Sequence, residues 1–283
     1  MISERAWARC LLLLSSMLVL PQRGVSAELP EWEAGAGATV FSMPDYRGSD
    51  RSQTRVYPIP YLVYRGETLK IEKSAIRGIF YTSDRIEVDT SITGAPPVKS
   101  EGSGIRQGMP DLDATLEIGP SLKVVLERDT ASGYRAELQF PLRMSVATDL
   151  SYLRSAGYIF NPRLNFDWAR LMPSGRWSAG FAVGPVFIDT RNARHYYSVD
   201  IMQALPVRPR YDAHGGYAGA QLALSGTIRK NNLWVGIFSR VDSLHDARFE
   251  DSPLVRRRWN VTAGIAVSWV IGTSDTLVPA TEW

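Results

Sequence analysis

The chain has almost no cysteine. Cys10 is the only one in 283 residues, and it sits in an N-terminal segment that reads as an export signal. The remainder then has no thiol and no disulfide. A secreted chain of this length without cross-links depends on a large ordinary core or on some other support. Long apolar runs are missing too: after residue 27 none approaches the ~18 residues of a spanning helix. That excludes a helical membrane protein and leaves a β-barrel open, because barrel strands carry only a half-apolar pattern.

Histidine is equally scarce. His195, His214 and His245 are the only three, all in expected loops or at loop edges. His214 follows Asp212, and His245 lies between Asp242 and Asp246. A His–carboxylate pair can orient a base, yet no nucleophile stands out beside these. One His among acidic residues is also a poor metal site without a second His at fixed spacing. Asp111 and Asp113 sit i, i+2 at a strand start and read as facing a turn or a lumen. We therefore assign no catalytic, cofactor-binding or metal-ligating residue, and expect neither an enzyme nor a cofactor.

The basic excess is thin: 32 Lys plus Arg against 29 Asp plus Glu. Arg5, Arg9, Arg23 and Glu4 lie in the first 27 residues; removing them leaves 29 basic and 28 acidic residues, a net charge of +1. No basic cluster is interleaved with aromatics, so a nucleic-acid partner is not expected. The densest run, "VRRRW" (Val255 to Trp259), reads as a solvated loop or a contact with lipid headgroups.

Arg5 and Arg9 precede an apolar core from Cys10 to Leu20, and Val25-Ser26-Ala27 is a small-residue cleavage site. Residues 1–27 thus read as a secretory signal peptide, cut before Glu28. From there period two dominates. "LDATLEIGPSLKVVLE" puts Leu112, Ala114, Leu116, Ile118, Leu122, Val124 and Leu126 on one face and Asp113, Thr115, Glu117, Ser121, Lys123 and Glu127 on the other. "YRAELQFPLRMSV" (Tyr134 to Val146) repeats this, with Arg135, Glu137, Gln139 and Arg143 opposite apolar partners. Further candidates are 32–41, 54–64, 69–80, 85–93, 158–170, 177–187, 220–229, 233–241 and 259–271. Alternation over 13 or more residues exceeds the ~5–6 of ordinary soluble strands and suits the ~9–11 of a tilted spanning strand. The same alternation fits a soluble sandwich. Length, the export signal, the missing disulfides and aromatics near strand ends (Tyr134, Tyr158, Trp177, Trp259, Trp269) favour a barrel.

Connections alternate short and long: 128–133 short, 147–157 longer, 171–176 short, 189–215 long, 230–232 short, 242–258 long. That is the rhythm of periplasmic turns and external loops. Eleven candidates are visible, and a bacterial single-chain barrel needs an even number, so one strand is missed or false between Leu69 and Thr93. The expected fold is all-β: an antiparallel outer-membrane barrel of about 12 strands, with 10 as the alternative. One domain spans 28–283, with 272–283 as a C-terminal tail that leaves the alternation. Arg135, Glu137, Arg143, Arg163 and Asp167 face the expected lumen, where they either close it by pairing or line a pore.

Four stretches then carry a resemblance. "PDYRGSD" followed by "PIPYLVYR", "GMPDLDATLEIGPSLKV", "YYSVDIMQALPVRPRYDAHGGY" and "DSPLV" occur in order and spacing similar to the MipA/OmpV family of outer-membrane proteins. In "PDYRGSD" the Pro-Asp and Gly-Ser-Asp steps are turn formers taken singly. The alternative is a loop whose Asp45, Tyr46 and Asp50 hold a fixed shape against the barrel rim. The resemblance implies an outer-membrane location. It also implies a non-enzymatic scaffold linking a murein synthase with a lytic transglycosylase, bathed in outer-membrane lipid. From the chain itself, a narrow small-solute channel is the other reading.

Overall fold

The computed structural model describes residues 28–279, apart from 73–74, 103, 130–131, 150 and 173–174. The expected signal peptide falls on 1–27, outside the described residues. Strands run in order as β1 (Glu28–Pro30), β2 (Trp32–Pro44), β3 (Ser52–Arg65), β4 (Leu69–Glu72), β5 (Ala75–Thr82), β6 (Ile86–Ala95), β7 (Ala114–Asp129) and β8 (Tyr134–Thr148). They continue as β9 (Leu153–Phe160), β10 (Arg163–Met172), β11 (Gly175–Ile188), β12 (Gly216–Lys230), β13 (Leu233–Ser243), β14 (Trp259–Thr273) and β15 (Leu277–Pro279). Among the described residues one α-helix, α1 (Thr190–Tyr197), lies in the longest loop.

Each wall strand pairs antiparallel with its neighbour, and β14 pairs with β2, closing the sheet into a cylinder. β9 and β10 are two halves of one wall strand. β8 pairs with β9 through Leu142–Thr148 and with β10 through Tyr134–Gln139. The thirteen sheet segments therefore make a barrel of twelve strands. The break falls at Asn161–Pro162, where proline offers no N–H to a ladder. Asn161 bridges it by donating from Nδ2 to the Pro185 carbonyl at 2.8 Å. Gly184 faces the break: a Cβ there would stand 2.0 Å from the Pro162 carbonyl, so no side chain fits.

The alternation is inverted relative to a soluble protein. On β7, Leu116, Ile118, Leu122 and Leu126 are 39–52% exposed, while Thr115, Ser121 and Lys123 are 3–6% exposed. Apolar side chains point out all round the wall and charged ones point in, which suits lipid outside and a closed lumen inside. Trp259 and Trp269 stand on the outer face of β14, ten residues apart. At ~3.4 Å per residue and ~40° of tilt that separates them by roughly 26 Å along the membrane normal, close to the ~25 Å apolar band.

Two boundaries differ from expectation. The segment 69–80, read as one strand, is the hairpin β4–β5, and this supplies the missing twelfth strand. The loop read at 147–157 is short, because β8 runs to Thr148 and β9 starts at Leu153. Long loops mark the external end, and tight turns and both described termini mark the periplasmic end. The tail folds back: β15 pairs with β1 in a separate ribbon, Leu29 opposite Val278.

Candidate functional site

The lumen holds a cavity of about 1080 Å³. Its two walls differ. On one side, Lys123 of β7 bonds Glu87 Oε1 at 2.9 Å and Asp89 Oδ2 at 2.7 Å, both on β6. Arg77 of β5 approaches the same two carboxylates at 3.0 and 3.4 Å. Further round, Arg135 pairs with Glu137 at 2.6 Å and Arg143 with Glu117 at 3.0 Å. Arg163 donates from Nε and Nη2 to Gln139 Oε1 at 2.9 and 2.7 Å, and Gln139 donates to Glu137. Charges this deeply buried persist only when partners replace the lost water. Alternation puts each of them on the inner face, and neighbouring strands bring opposite signs into register, as at Glu87↔Lys123.

The other wall is apolar. Tyr61 and Val63 of β3, Trp234 of β13 and Val270 of β14 form a buried cluster, with the Tyr61 and Trp234 rings 5.8 Å apart. Above it, Phe41 and Tyr57 pack at 5.9 Å, and Phe41 and Phe238 crowd over Gly264. A Cβ on Gly264 would meet both phenylalanines at 2.6 Å, so glycine makes room for them.

Over the external mouth the long loops build a cap with its own hydrophobic core. Tyr46, Met109, Leu112, Tyr197, Val199, Leu244, Phe249 and Leu254 are all buried in it. Phe249 and Leu254 are 0% exposed, and the Phe249 ring stacks on Tyr197 at 3.9 Å. Polar groups lock the loops together. The Tyr46 hydroxyl donates to the Leu254 carbonyl at 2.8 Å, and the Tyr197 hydroxyl donates to the Arg47 carbonyl at 2.9 Å. Burial raises the pKa of both tyrosines and pushes Tyr196 up to about 12, so all three remain neutral. Arg208 ties two loops by donating from Nη1 to the Ile105 and Gln107 carbonyls at 2.6 and 3.0 Å. Arg106 lies 5.7 Å from the Tyr46 ring centroid, its pKa lowered by burial. Arg47 anchors the cap to the wall through Asp242 at 3.0 Å, and Arg240 holds the other oxygen of that carboxylate at 2.9 Å. Asp45, Tyr46, Arg47, Asn192, Tyr196 and Tyr197 form the cavity roof.

The floor is simpler. Glu33 is held between Arg65 and Arg229, and Arg65 donates to the Pro30 carbonyl, which fixes the ribbon's start. Leu29 of the ribbon lines the cavity.

The structure separates the histidines. His195 sits on α1 with its ring edge-on to Tyr196 at 4.6 Å, and burial, helped by Arg154 and Arg106, lowers its pKa to about 4. His214 is exposed, and His245 Nε2 accepts from Trp259 Nε1 at 3.1 Å. Among the described residues no group of three His, Cys, Asp or Glu could hold a metal. Asp111 accepts from Lys99 and the Ser100 amide in a turn; Asp113 accepts from the Tyr152 hydroxyl at 2.6 Å. Of the lumen residues expected from sequence, Arg135, Glu137 and Arg143 are ion-paired, Arg163 is held by Gln139, and Asp167 lines the cavity. The Arg77–Glu87–Asp89–Lys123 group and the Arg47–Asp242 anchor were not singled out. Glu87 and Asp89 two apart inside a strand candidate were the signal for the first; nothing local marks the second. "VRRRW" is tied to the cap: the Arg256 and Arg257 amides donate to the Gly48 carbonyl, and Arg258 pairs with Glu250.

A closed antiparallel cylinder with an apolar exterior, a paired polar interior and a folded external cap defines an outer-membrane β-barrel protein. The four sequence stretches singled out above converge on one place, since Tyr46, Met109, Tyr197 and Leu254 share the cap core. The chain belongs to the MipA family: the family model described as "MltA-interacting protein MipA" matches residues 36–271. No curated protein sequence matches it. Among solved structures it is similar to the CymD monoaromatic hydrocarbon channel, at 10% identity, covering 86% of this chain and 89% of that one, with a TM-score of 0.31. It is also similar to the outer membrane protease OmpT from Escherichia coli, at 6% identity over 87% and 98% of the two chains, with a TM-score of 0.28.

Proposed function

We infer that the protein is a non-enzymatic outer-membrane scaffold that presents its periplasmic end to a murein synthase and a lytic transglycosylase. The observation that carries this reading is the cap: a hydrophobic core over the external mouth suits a structural plug better than a solute entrance. The paired lumen charges support it. The family description names an MltA interaction, and the periplasmic turns with the β1–β15 ribbon are the surface available on that side. Export is by residues 1–27, removed before Glu28, leaving 28–283 as one barrel domain; N-terminal sequencing of the outer-membrane form should begin at Glu28.

The test is co-purification from detergent extracts. Both classes of murein enzyme are expected to be retained by the full mature chain, and repeated absence of both overturns the reading. The cavity of about 1080 Å³ favours a second reading, a narrow small-solute channel. Planar-bilayer recording separates the two, since steady conducting steps count for the channel.

A further inference from the structure

We propose that the barrel wall has a side window between β3 and β6. Through it, the bilayer delivers a single-chain anionic amphiphile, of the fatty-acid carboxylate kind, whose head binds Arg163 inside the lumen. This is independent of the murein-enzyme reading.

The window follows from strand pairing. Among the described residues β3 meets β4 at Tyr64↔Ile71 and Arg65↔Lys70. The β4–β5 hairpin has four rungs, Leu69↔Gly78 to Glu72↔Ala75. β5 meets β6 only at Ile79↔Asp89, Tyr81↔Val88 and Thr82↔Glu87. Towards the external side, among the described residues, β3 from Ser52 to Val63 has a ladder on its β2 side alone, and β6 from Thr90 to Ala95 on its β7 side alone. At ~3.3 Å per residue these open edges run roughly 40 and 20 Å. Arg55 of β3 spans the top by donating to the Pro97 carbonyl at 2.9 Å, so the opening is bounded.

Unpaired backbone at membrane depth survives only against protein or a water-filled cavity. Here it borders the lumen. Six successive residues of β6, Thr90 to Ala95, line the cavity.

The occupant follows from what the two edges carry inward. The inner face of β3 begins the apolar wall, with Tyr57, Ile59 and Val63; β6 begins the charged wall, with Glu87 and Asp89. The window is thus the seam between an apolar and an ionic surface, which is the shape of an amphiphile. On the ionic side Lys123, Arg77, Arg135 and Arg143 are matched to carboxylates. Among the described residues Arg163 makes no ion pair, and Gln139 is its hydrogen-bond partner. A guanidinium fork is completed by a carboxylate. The cavity volume of about 1080 Å³ is just above the ~300–1,000 Å³ of small-molecule sites.

The experiment uses the full mature protein in lipid nanodiscs with diazirine-labelled palmitate, and maps labelled residues by mass spectrometry. Heat-modifiable migration on gels verifies that each variant is folded. Labelling is expected at Ile59, Val63 and Thr93. Arg163→Gln should lower it at least fivefold and Arg163→Lys should restore most of it. Diazirine-labelled palmityl alcohol, tested on the unaltered protein, should label at least fivefold less. Thr93→Trp, which fills the opening, should slow labelling severalfold. Labelling confined to lipid-facing Leu116, Ile118 and Val267 overturns the proposal, as does equal labelling by acid and alcohol. Interior labelling as fast in Thr93→Trp as in the parent overturns the side route.

Discussion

The two ends of the barrel are built by different physics. At the external end, four loops give up their freedom to a shared hydrophobic core, with stacked rings at 3.9 Å and arginines pinned to loop carbonyls. At the periplasmic end, turns of two to four residues suffice and the termini add a ribbon of three residues on each side. Loops ordinarily stay mobile because they bury too little apolar area to offset their chain entropy. The outer loops here escape that by pooling small contributions: Tyr46, Leu112, Tyr197 and the trio Leu244, Phe249 and Leu254 come from four separate connections and none forms a core alone. Order at the mouth is therefore cooperative, whereas order at the floor is local.

The strongest way to break this contrast is Phe249→Ala. Removing a ring that is 0% exposed should cost the cap about 3–5 kcal/mol. Added protease should then cut loops 96–113, 189–215 and 244–258 together while the barrel keeps its heat-modifiable migration. Cutting in the 244–258 loop alone would show that the loops order separately.

Acid is the next lever. His195 is neutral in the folded cap, with its pKa lowered to about 4, and ordinary near 6.5 when the cap opens. The opened state binds the proton more readily. Cap stability is thus whole above about pH 6.5 and falls as pH drops towards 4, by at most about 3 kcal/mol. Hydrogen exchange at pH 5 against pH 7 should show faster exchange in α1 and the loops packed on it. His195→Gln should flatten that difference, with the periplasmic turns unaffected in either case.

A smaller effect is expected from ending the chain at Ser274. This removes β15 and its three rungs, about 1 kcal/mol of backbone pairing. Exchange should quicken at the amides of Glu28, Leu29 and Glu31 only, the last because it donates to the Thr276 carbonyl, leaving the cap unchanged. The smallest is Arg194→Ala. The Arg194–Asp212 pair, at 2.9 Å, lies on the cap surface with both side chains more than half exposed, and its loss should leave loop proteolysis unaltered.

Most of the wall was legible because lipid imposes one rule on each strand. Leu116 to Leu126 against Thr115 to Lys123 can be read without knowing any neighbour, and so can β8 and β14. The hairpin β4–β5 was not, since β4, with four residues, carries too few alternations to separate from one longer run. The break at Asn161–Pro162 was hidden for the opposite reason: both halves keep the same face, so period two continues across it. The cap was the least readable part. Tyr46 and Tyr197 meet although 151 residues apart in the chain, joined by the Tyr197 hydroxyl reaching Arg47, and no local pattern announces that. What the sequence did offer was Asp45, Tyr46 and Asp50 as a loop held against the rim. Asp45 and Tyr46 are buried there, whereas Asp50 stays exposed with Arg256 at 4.0 Å.

Glu28 and Pro279 lie opposite one another in the terminal ribbon. A short peptide could therefore join head to tail, and new ends could be opened at the tight 231–232 turn without crossing the cap or the window. Such a rearranged gene would start synthesis at β13 and finish at β12. It would make the order in which wall segments leave the ribosome an adjustable variable, with the final architecture held constant.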